Sequence, residues 1–563
     1  MVIAGAGGAG KTVLALELVL GLLNARAPGD PVPVRISAPT WKTGDSIGVW
    51  LVQHLVAVYR MSPASAESVV HANLVIPVVD GLDEMDSGVL GYGSRSAKLV
   101  AALNSFQDLN RRAPIIVTCR TTQLEALIAA RVWVHDSATI EIEPVSPAKA
   151  QLYLKSEVVD VERWQPVLSK LAFEPNGALA TALSTPWRLS LVRRIYEWRD
   201  PDGNFSREPV DVVSVATGGS DAVRDHLLAL LIPAAVIDSK TCSYAPAQVE
   251  RWLTTLACEY LSNLGGTTVG GVTVSGTDVV PHRLWPLAGV RRVRAVTMLI
   301  AWVLLSTALC GELVRADPRL SAAYVATVGG FGSAVLATSM LFVLLNEVEP
   351  HRFVWTFTHK VGGRKQLRRA ITAALLLWAG VIALGFAMIA LSDRVVASWA
   401  WGAVPACGAA FAVAALTRDD ASVAARHPRE VVAADVRFGV LFSGVSGALM
   451  AVLVRVAPPP PDVPDDFGLL VGPALGIVIG WTIAPTSIYY LAMLLSTRRW
   501  SRNPLPWRLV RFLDWGHDCG LLRTAGIGYQ FRHREIQDYL IRQAHLSATH
   551  SQSRGGTAVP NLS

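Results

Sequence analysis

Gly5-Ala6-Gly7-Gly8-Ala9-Gly10-Lys11-Thr12 follows a short apolar run, 1–4, and leads into TVLALELVLGLL, 12–23. Strand, glycine-rich loop and helix in that order form the frame of a phosphate-binding P-loop. Gly5, Gly7, Gly8 and Gly10 let the backbone curl until successive N–H groups, that of Ala9 among them, converge on an anion. The helix N-terminus adds partial positive charge. Lys11 is placed to meet the β- and γ-phosphates, and Thr12 to offer its hydroxyl to Mg²⁺.

A second motif, NLVIPVVDGLDE at 73–84, ends a continuous apolar run in carboxylates. Such a run reads as a buried parallel strand. Ligands bind at the C-terminal ends of strands in open α/β sheets. Asp80 is therefore the candidate Mg²⁺ partner, and Glu84, or Asp83 beside it, the candidate to polarise an attacking water. Three carboxylates in five residues repel one another unless a cation neutralises them. A third strand, APIIVTCRT at 113–121, brings Thr118 and Arg120 to the same edge, where Arg120 could stabilise γ-phosphate charge. ATIEIEPVSPAKAQLYL, 138–154, reads as a strand ending near Glu143 and a helix entered through Pro147, with Ser146 as its N-cap.

GAGGAGKT, VPVRISAPTW, VVDGLDE, IIVTCRT and IEIEPVSPAKAQLYL, in that order, resemble a NACHT-type NTPase of the STAND class, the Asp-Gly-Leu-Asp-Glu form of the second motif being the most specific part. The resemblance covers roughly residues 1–200 and a patch near the C-terminus. It implies a parallel sheet with helices on both faces. It also implies a switch that rests with a bound diphosphate and self-assembles on exchange for a triphosphate, so a homo-oligomer on activation. STPWRLSLV, 184–192, places Pro186 like the family proline near the nucleotide base, though a proline that merely starts a helix fits equally. YQFRHREIQDYL, 529–540, resembles the family's winged-helix segment, which makes His533 the candidate contact to a diphosphate. A helix-capping or core histidine is the alternative. Family members usually carry an effector domain before the P-loop. Here the loop's strand begins at Met1, so either the start lies upstream or the output lies elsewhere in the chain.

The chain is 51% hydrophobic and only 17% charged. The apolar excess falls in six uncharged runs, 295–311, 320–345, 370–391, 395–416, 438–454 and 467–495. A helical membrane span takes about 20 residues, and these runs predict a six-helix transmembrane bundle. Arg and Lys crowd the alternate loops, from Arg291, Arg292 and Arg294 before the first run to Arg498 and Arg499 after the last. Positive residues mark the cytoplasmic side, so the reading is a multi-pass protein of the cell membrane with both termini cytoplasmic and the lipid bilayer as partner. PPPPDVPDD, 458–466, reads as a stiff extracytoplasmic turn, and Gly472, Gly476 and Gly480 as a close helix-packing stripe. No Asp, Glu, Lys, Arg or His interrupts the runs, which counts against an ion pump. The loops explain much of the net charge of +7, without the basic, aromatic-interleaved patch of a nucleic-acid binder. Six scattered cysteines suggest neither zinc site nor disulfide framework.

The resulting fold class is an α/β P-loop NTPase, followed by helical and winged-helix-like segments with the transmembrane bundle inserted. The P-loop domain spans 1–146 and a helical domain 147–235. A winged-helix-like domain lies in two parts, 236–292 and 497–545, around the membrane region 293–496. A polar tail, 546–563, reads as disordered. The chain opens on the P-loop, with no cleavable signal. The functional reading is a membrane-embedded signalling switch that binds ATP or ADP with Mg²⁺, GTP being open, and hydrolyses the triphosphate slowly. Its trigger or partner protein is not legible. The alternatives are an ATP-driven transporter, a pore-forming effector, or a switch that binds nucleotide and hardly hydrolyses it. No LSGGQ-like signature stands between the two nucleotide motifs to favour an ABC-type transporter.

Overall fold

A computed structural model describes residues 1–86, 91–109, 113–316, 351–353, 418–420, 428–456 and 485–555, apart from 201, 240–243, 266, 270, 271, 502 and 526. The first body is a parallel sheet. Strands β1 (Val2–Gly5), β2 (Val32–Ser37), β3 (Val75–Asp80), β4 (Ile116–Arg120) and β5 (Thr139–Ile142) stand in the order β2-β3-β4-β1-β5. Helix α1 (Lys11–Ala25) covers one face, with Ala15 packed on Ile3, Val78 and Ile116. Helices α2 (Ile47–Tyr59), α3 (Pro63–His71), α4 (Arg95–Leu109) and α5 (Thr121–Ala129) cover the other, over a core that holds Trp50, Leu51, Val79 and Leu103. This is the α/β, P-loop-compatible arrangement expected from the motifs.

Sheet register explains where the chemistry collects. Ser37 pairs with Asp80, Val78 with Ile116, and Ile3 with Thr118. Side chains on a strand alternate with period two. Arg35, Asp80, Thr118 and Arg120 therefore share one face, the face under α1, whose first residues are Lys11 and Thr12.

The second body is helical. It comprises α6 (Pro147–Glu157), α7 (Gln165–Phe173), α8 (Ala178–Ala182), α9 (Pro186–Tyr196), α10 (Val210–Val215), α11 (Ser220–Asp238) and α12 (Pro246–Thr255), which runs on into a π-helical stretch, Leu256–Ser262. Ser146 caps α6 as expected, its hydroxyl accepting from the Lys149 amide at 3.4 Å. Two short pairs of strands follow, β6 (Thr268–Val269) with β7 (Val272–Thr273), and β8 (His351–Phe353) with β9 (Arg418–Asp420). The chain continues through α13 (Val290–Ala316), α14 (Pro428–Val456), α15 (Pro485–Trp500) and α16 (Leu509–Asp518). It closes with the hairpin β10 (Leu522–Ala525) and β11 (Gly528–Phe531) and the helix α17 (Arg534–Gly555).

The segments on either side of 293–496 form one core. Val279 and Tyr529 exchange both backbone hydrogen bonds, at 2.7 and 2.9 Å. Trp252 donates its indole N–H to the Pro504 carbonyl at 3.0 Å and meets Phe512 edge-on at 5.0 Å. Helix α17 continues to Gly555, past position 546 where the polar composition suggests disorder.

The transmembrane expectation is overturned. Among the described residues no helix is long and apolar enough to cross a membrane. The inserted six-helix bundle and the multi-pass cell-membrane location with cytoplasmic termini are corrected accordingly. The uncharged stretches of α13 and α14 are 295–311 and 438–454, seventeen residues each. At 1.5 Å per residue these reach about 25 Å, short of the roughly 30 Å hydrocarbon layer. Some positions of each helix are instead buried in the protein. Val293 and Thr297 of α13 are buried, Tyr489, Ala492 and Met493 of α15 are fully buried, and Tyr489 stacks on Trp285 at 4.9 Å. Helix α14 buries Asp435, Val431 and Phe438 ahead of and at the start of its uncharged stretch. The runs 320–345, 370–391 and 395–416, the turn 458–466 and the Gly472, Gly476 and Gly480 stripe lie outside the described residues. So does the part of 467–495 before 485.

Trp164 is fully buried in the helical core, donates to Glu197 at 2.8 Å and packs edge-on against Tyr196. Trp164→Ala should cost about 3–5 kcal/mol, through the cavity and the lost hydrogen bond to Glu197. Chemical denaturation followed by circular dichroism would measure the loss.

Candidate nucleotide site

The loop after β1 turns through Gly8 (φ 74°) and Gly10 (φ 96°), both left-handed, where a Cβ would strain the backbone. At Gly8 a Cβ would also lie 3.2 Å from the Cβ of Trp187. Lys11 folds back on its own loop. Its Nζ donates to the carbonyls of Gly5 and Ala6 at 2.9 and 3.0 Å. Burial lowers its pKa, Asp83 opposes that shift, and Arg120 adds to it.

Asp80 is almost wholly buried and fully engaged. Its Oδ1 accepts from Thr118 Oγ1 at 2.6 Å and from Thr12 Oγ1 at 3.2 Å. Its Oδ2 accepts from Arg35 at 2.5 and 3.0 Å. The Gly81 amide donates to the Thr118 hydroxyl at 2.8 Å, which commits that hydroxyl's single proton to Asp80. Burial pushes the Asp80 carboxyl up. Arg35, helped by the Thr118 hydrogen bond and by Arg523, outweighs burial and holds the pKa below its ordinary value.

The two neighbouring carboxylates each have an arginine of their own. Asp83 pairs with Arg120 Nε at 2.8 Å. Glu84 pairs with Arg523 of β10. Burial raises the Glu84 pKa, Arg523 pulls it back, and Asp83 and Asp80 raise it further. The expected electrostatic conflict at the end of β3 is thus resolved by three guanidinium groups.

The C-terminal segment closes over the loop and the acids together. Arg534 donates to the backbone carbonyls of Asp83 and Asp86 at 3.1 and 3.4 Å. Glu535 takes a two-pronged bond from Arg188 of α9, at 2.9 and 3.2 Å. It lies 3.4 Å from where a Gly7 Cβ would stand. His533 stacks on Trp187 with ring centroids 4.0 Å apart, and the Trp187 amide reaches the Gly8 carbonyl at 3.4 Å. Pro186 occupies the first turn of α9, which Thr185 caps.

The structure thus brings Gly5, Gly7, Gly8, Ala9, Gly10, Lys11, Thr12, Asp80, Asp83, Glu84 and Arg120 into one place, and sets His533 one aromatic ring away from the loop. Pro186 starts α9, and it is its neighbour Trp187 that touches the loop and His533. Sequence reasoning missed Arg35, Trp187, Arg188, Arg523, Arg534 and Glu535. Arg35 alone left a signal, as a charge inside a strand that otherwise reads as buried.

Among the described residues no group of three or more His, Cys, Asp or Glu side chains could hold a metal unaided. A magnesium ion asks for less, one or two protein oxygens beside the phosphates. The adjacent Thr12 hydroxyl and Asp80 carboxylate are hard oxygens of that kind, so the residues fit Mg²⁺, with Arg35 standing on the same carboxylate. Such an ion, held by Thr12 and Asp80, would supply charge neutralisation beside bound phosphates. No protein-family model matches this chain, and no curated protein matches it.

Burial, then Arg532, Arg523 and Arg120, push the His533 pKa from 6.5 down to about 3. Between those values the undocked segment binds a proton that the docked one does not. Docking is therefore strongest above pH 6.5 and weakens as pH falls. At pH 5.5 the loss should approach about 1 kcal/mol, less whatever solvent screens. Hydrogen–deuterium exchange over 534–545, corrected for the intrinsic pH effect, should show this loosening in the wild type and not in His533→Gln.

Proposed function

We propose that this chain is a nucleotide-dependent switch. It binds ATP or ADP in the P-loop with Mg²⁺, turns the triphosphate over slowly, and uses the nucleotide state to control self-assembly. The observation that carries the reading is that one C-terminal segment touches both parts of the site at once. Arg523 holds Glu84, Arg534 holds the backbone at Asp83 and Asp86, and Glu535 lies against Gly7. A ligand that alters the loop or the acids alters the docking of residues more than four hundred positions away, in proportion to its preference for one state. The resemblance to NACHT-type switches supports the same reading.

The residue roles follow from position. The loop amides and Lys11 hold the phosphates, Lys11 exchanging the Gly5 and Ala6 carbonyls for phosphate oxygens. Thr12 and Asp80 hold the ion. Glu84, once free of Arg523, orients and deprotonates the attacking water. Arg120, which now neutralises Asp83, stands beside the strand end where γ-phosphate charge would develop. His533, neutral in the docked form, offers a hydrogen bond to a diphosphate.

Lys11→Ala should abolish tight binding of ADP and ATP in a fluorescent-nucleotide titration, because it removes the cation that meets the phosphates. Unchanged affinity would refute the P-loop assignment. Glu84→Gln should keep binding and slow hydrolysis by roughly 10²-fold or more, the scale for loss of a positioned base. Light scattering with ADP and with a non-hydrolysable triphosphate should give different masses. Equal masses would remove self-assembly from the reading.

A further inference from the structure

Asp80 has no free oxygen direction. Oδ1 takes the Thr118 and Thr12 hydroxyls, and Oδ2 takes two N–H groups of Arg35. A divalent ion that binds this carboxylate must displace a donor. Thr118 is buried and locked by the Gly81 amide. Arg35 is different, since its side chain is 38% exposed against 5% for Asp80. Thr12 is half-buried and is itself a candidate ligand of the ion, so Arg35 is the charged donor on this carboxylate with an open path to water. It also belongs to β2 of the same sheet, so its hold on Asp80 does not depend on the docking of the C-terminal segment.

We propose that Arg35 is a built-in counter-cation for Asp80 that competes with the divalent ion, so that metal binding is favoured as Arg35 swings out to solvent. Arg35 thereby sets the metal requirement of the nucleotide site: it supports metal-free diphosphate binding and raises the concentration of ion needed to fill the site. The inference rests on the P-loop reading above.

The test is Mn²⁺ binding to the full chain, read by electron paramagnetic resonance of the free ion, with and without ADP. Arg35→Gln should bind Mn²⁺ about tenfold more tightly or better, the scale set by one lost charge-assisted contact. Arg35→Lys keeps the charge but loses the two-pronged grip and should fall between, which decides the matter even if Arg35→Gln does not fold. Asp80→Asn should remove the site. Wild-type affinity in both Arg35 variants, or Mn²⁺ binding that survives Asp80→Asn, would overturn the proposal. ADP binding in EDTA is measured separately. Its absence from the wild type refutes the nucleotide reading, whereas the order of Mn²⁺ affinities among the variants still decides the role of Arg35.

Discussion

Asp80, Asp83 and Glu84 lie within five residues at the end of one buried strand, and their mutual repulsion is the constraint that organises the rest of the site. Carboxylates that share a small desolvated volume stay ionised together only beside positive charge. Here the charge comes from Arg35, Arg120 and Arg523, each paired with a different acid. Two of these arginines belong to the sheet itself. The third comes from a hairpin near the C-terminus, and that single difference ties the ends of the chain to each other.

The tie is broader than one ion pair. Helix α9 lies between the loop and the C-terminal helix, with Trp187 against Gly8 and His533, and Arg188 on Glu535. The closeness of Trp187 to Gly8 depends on the missing Cβ at that glycine. The glycines that shape the loop for phosphate thus also let the helical region come close. Loop conformation, helix α9 and the C-terminal segment form one contiguous set of contacts, the physical requirement for coupling between distant sites.

The apolar composition illustrates how hydropathy alone can mislead. Uncharged stretches of α13, α14 and α15 have the composition of membrane helices. In the described residues their buried positions pack on Trp285 and on one another, beside a buried Asp435. The hydrophobic effect rewards removal of apolar surface from water and does not specify whether lipid or protein removes it. Length is the discriminating quantity for α13 and α14, where charges bound the uncharged stretches at seventeen residues, below a full crossing.

The sequence by itself determined the local chemistry: the loop at 5–12, the acids at 80–84, the strand that carries Thr118 and Arg120, and the Ser146 cap. Each is a short-range pattern in which neighbours in sequence are neighbours in space. Its order of strands and helices also sufficed for the parallel sheet. Only the tertiary structure decided that Arg35 stands on Asp80 and Arg523 on Glu84. It also decided which positions of the apolar helices are buried, Val293 and Thr297 of α13 and Tyr489, Ala492 and Met493 of α15 among them. Those outcomes turn on sheet register and on contacts across hundreds of residues. Neither periodicity nor spacing records them, because an arginine looks the same in sequence whichever carboxylate it will meet.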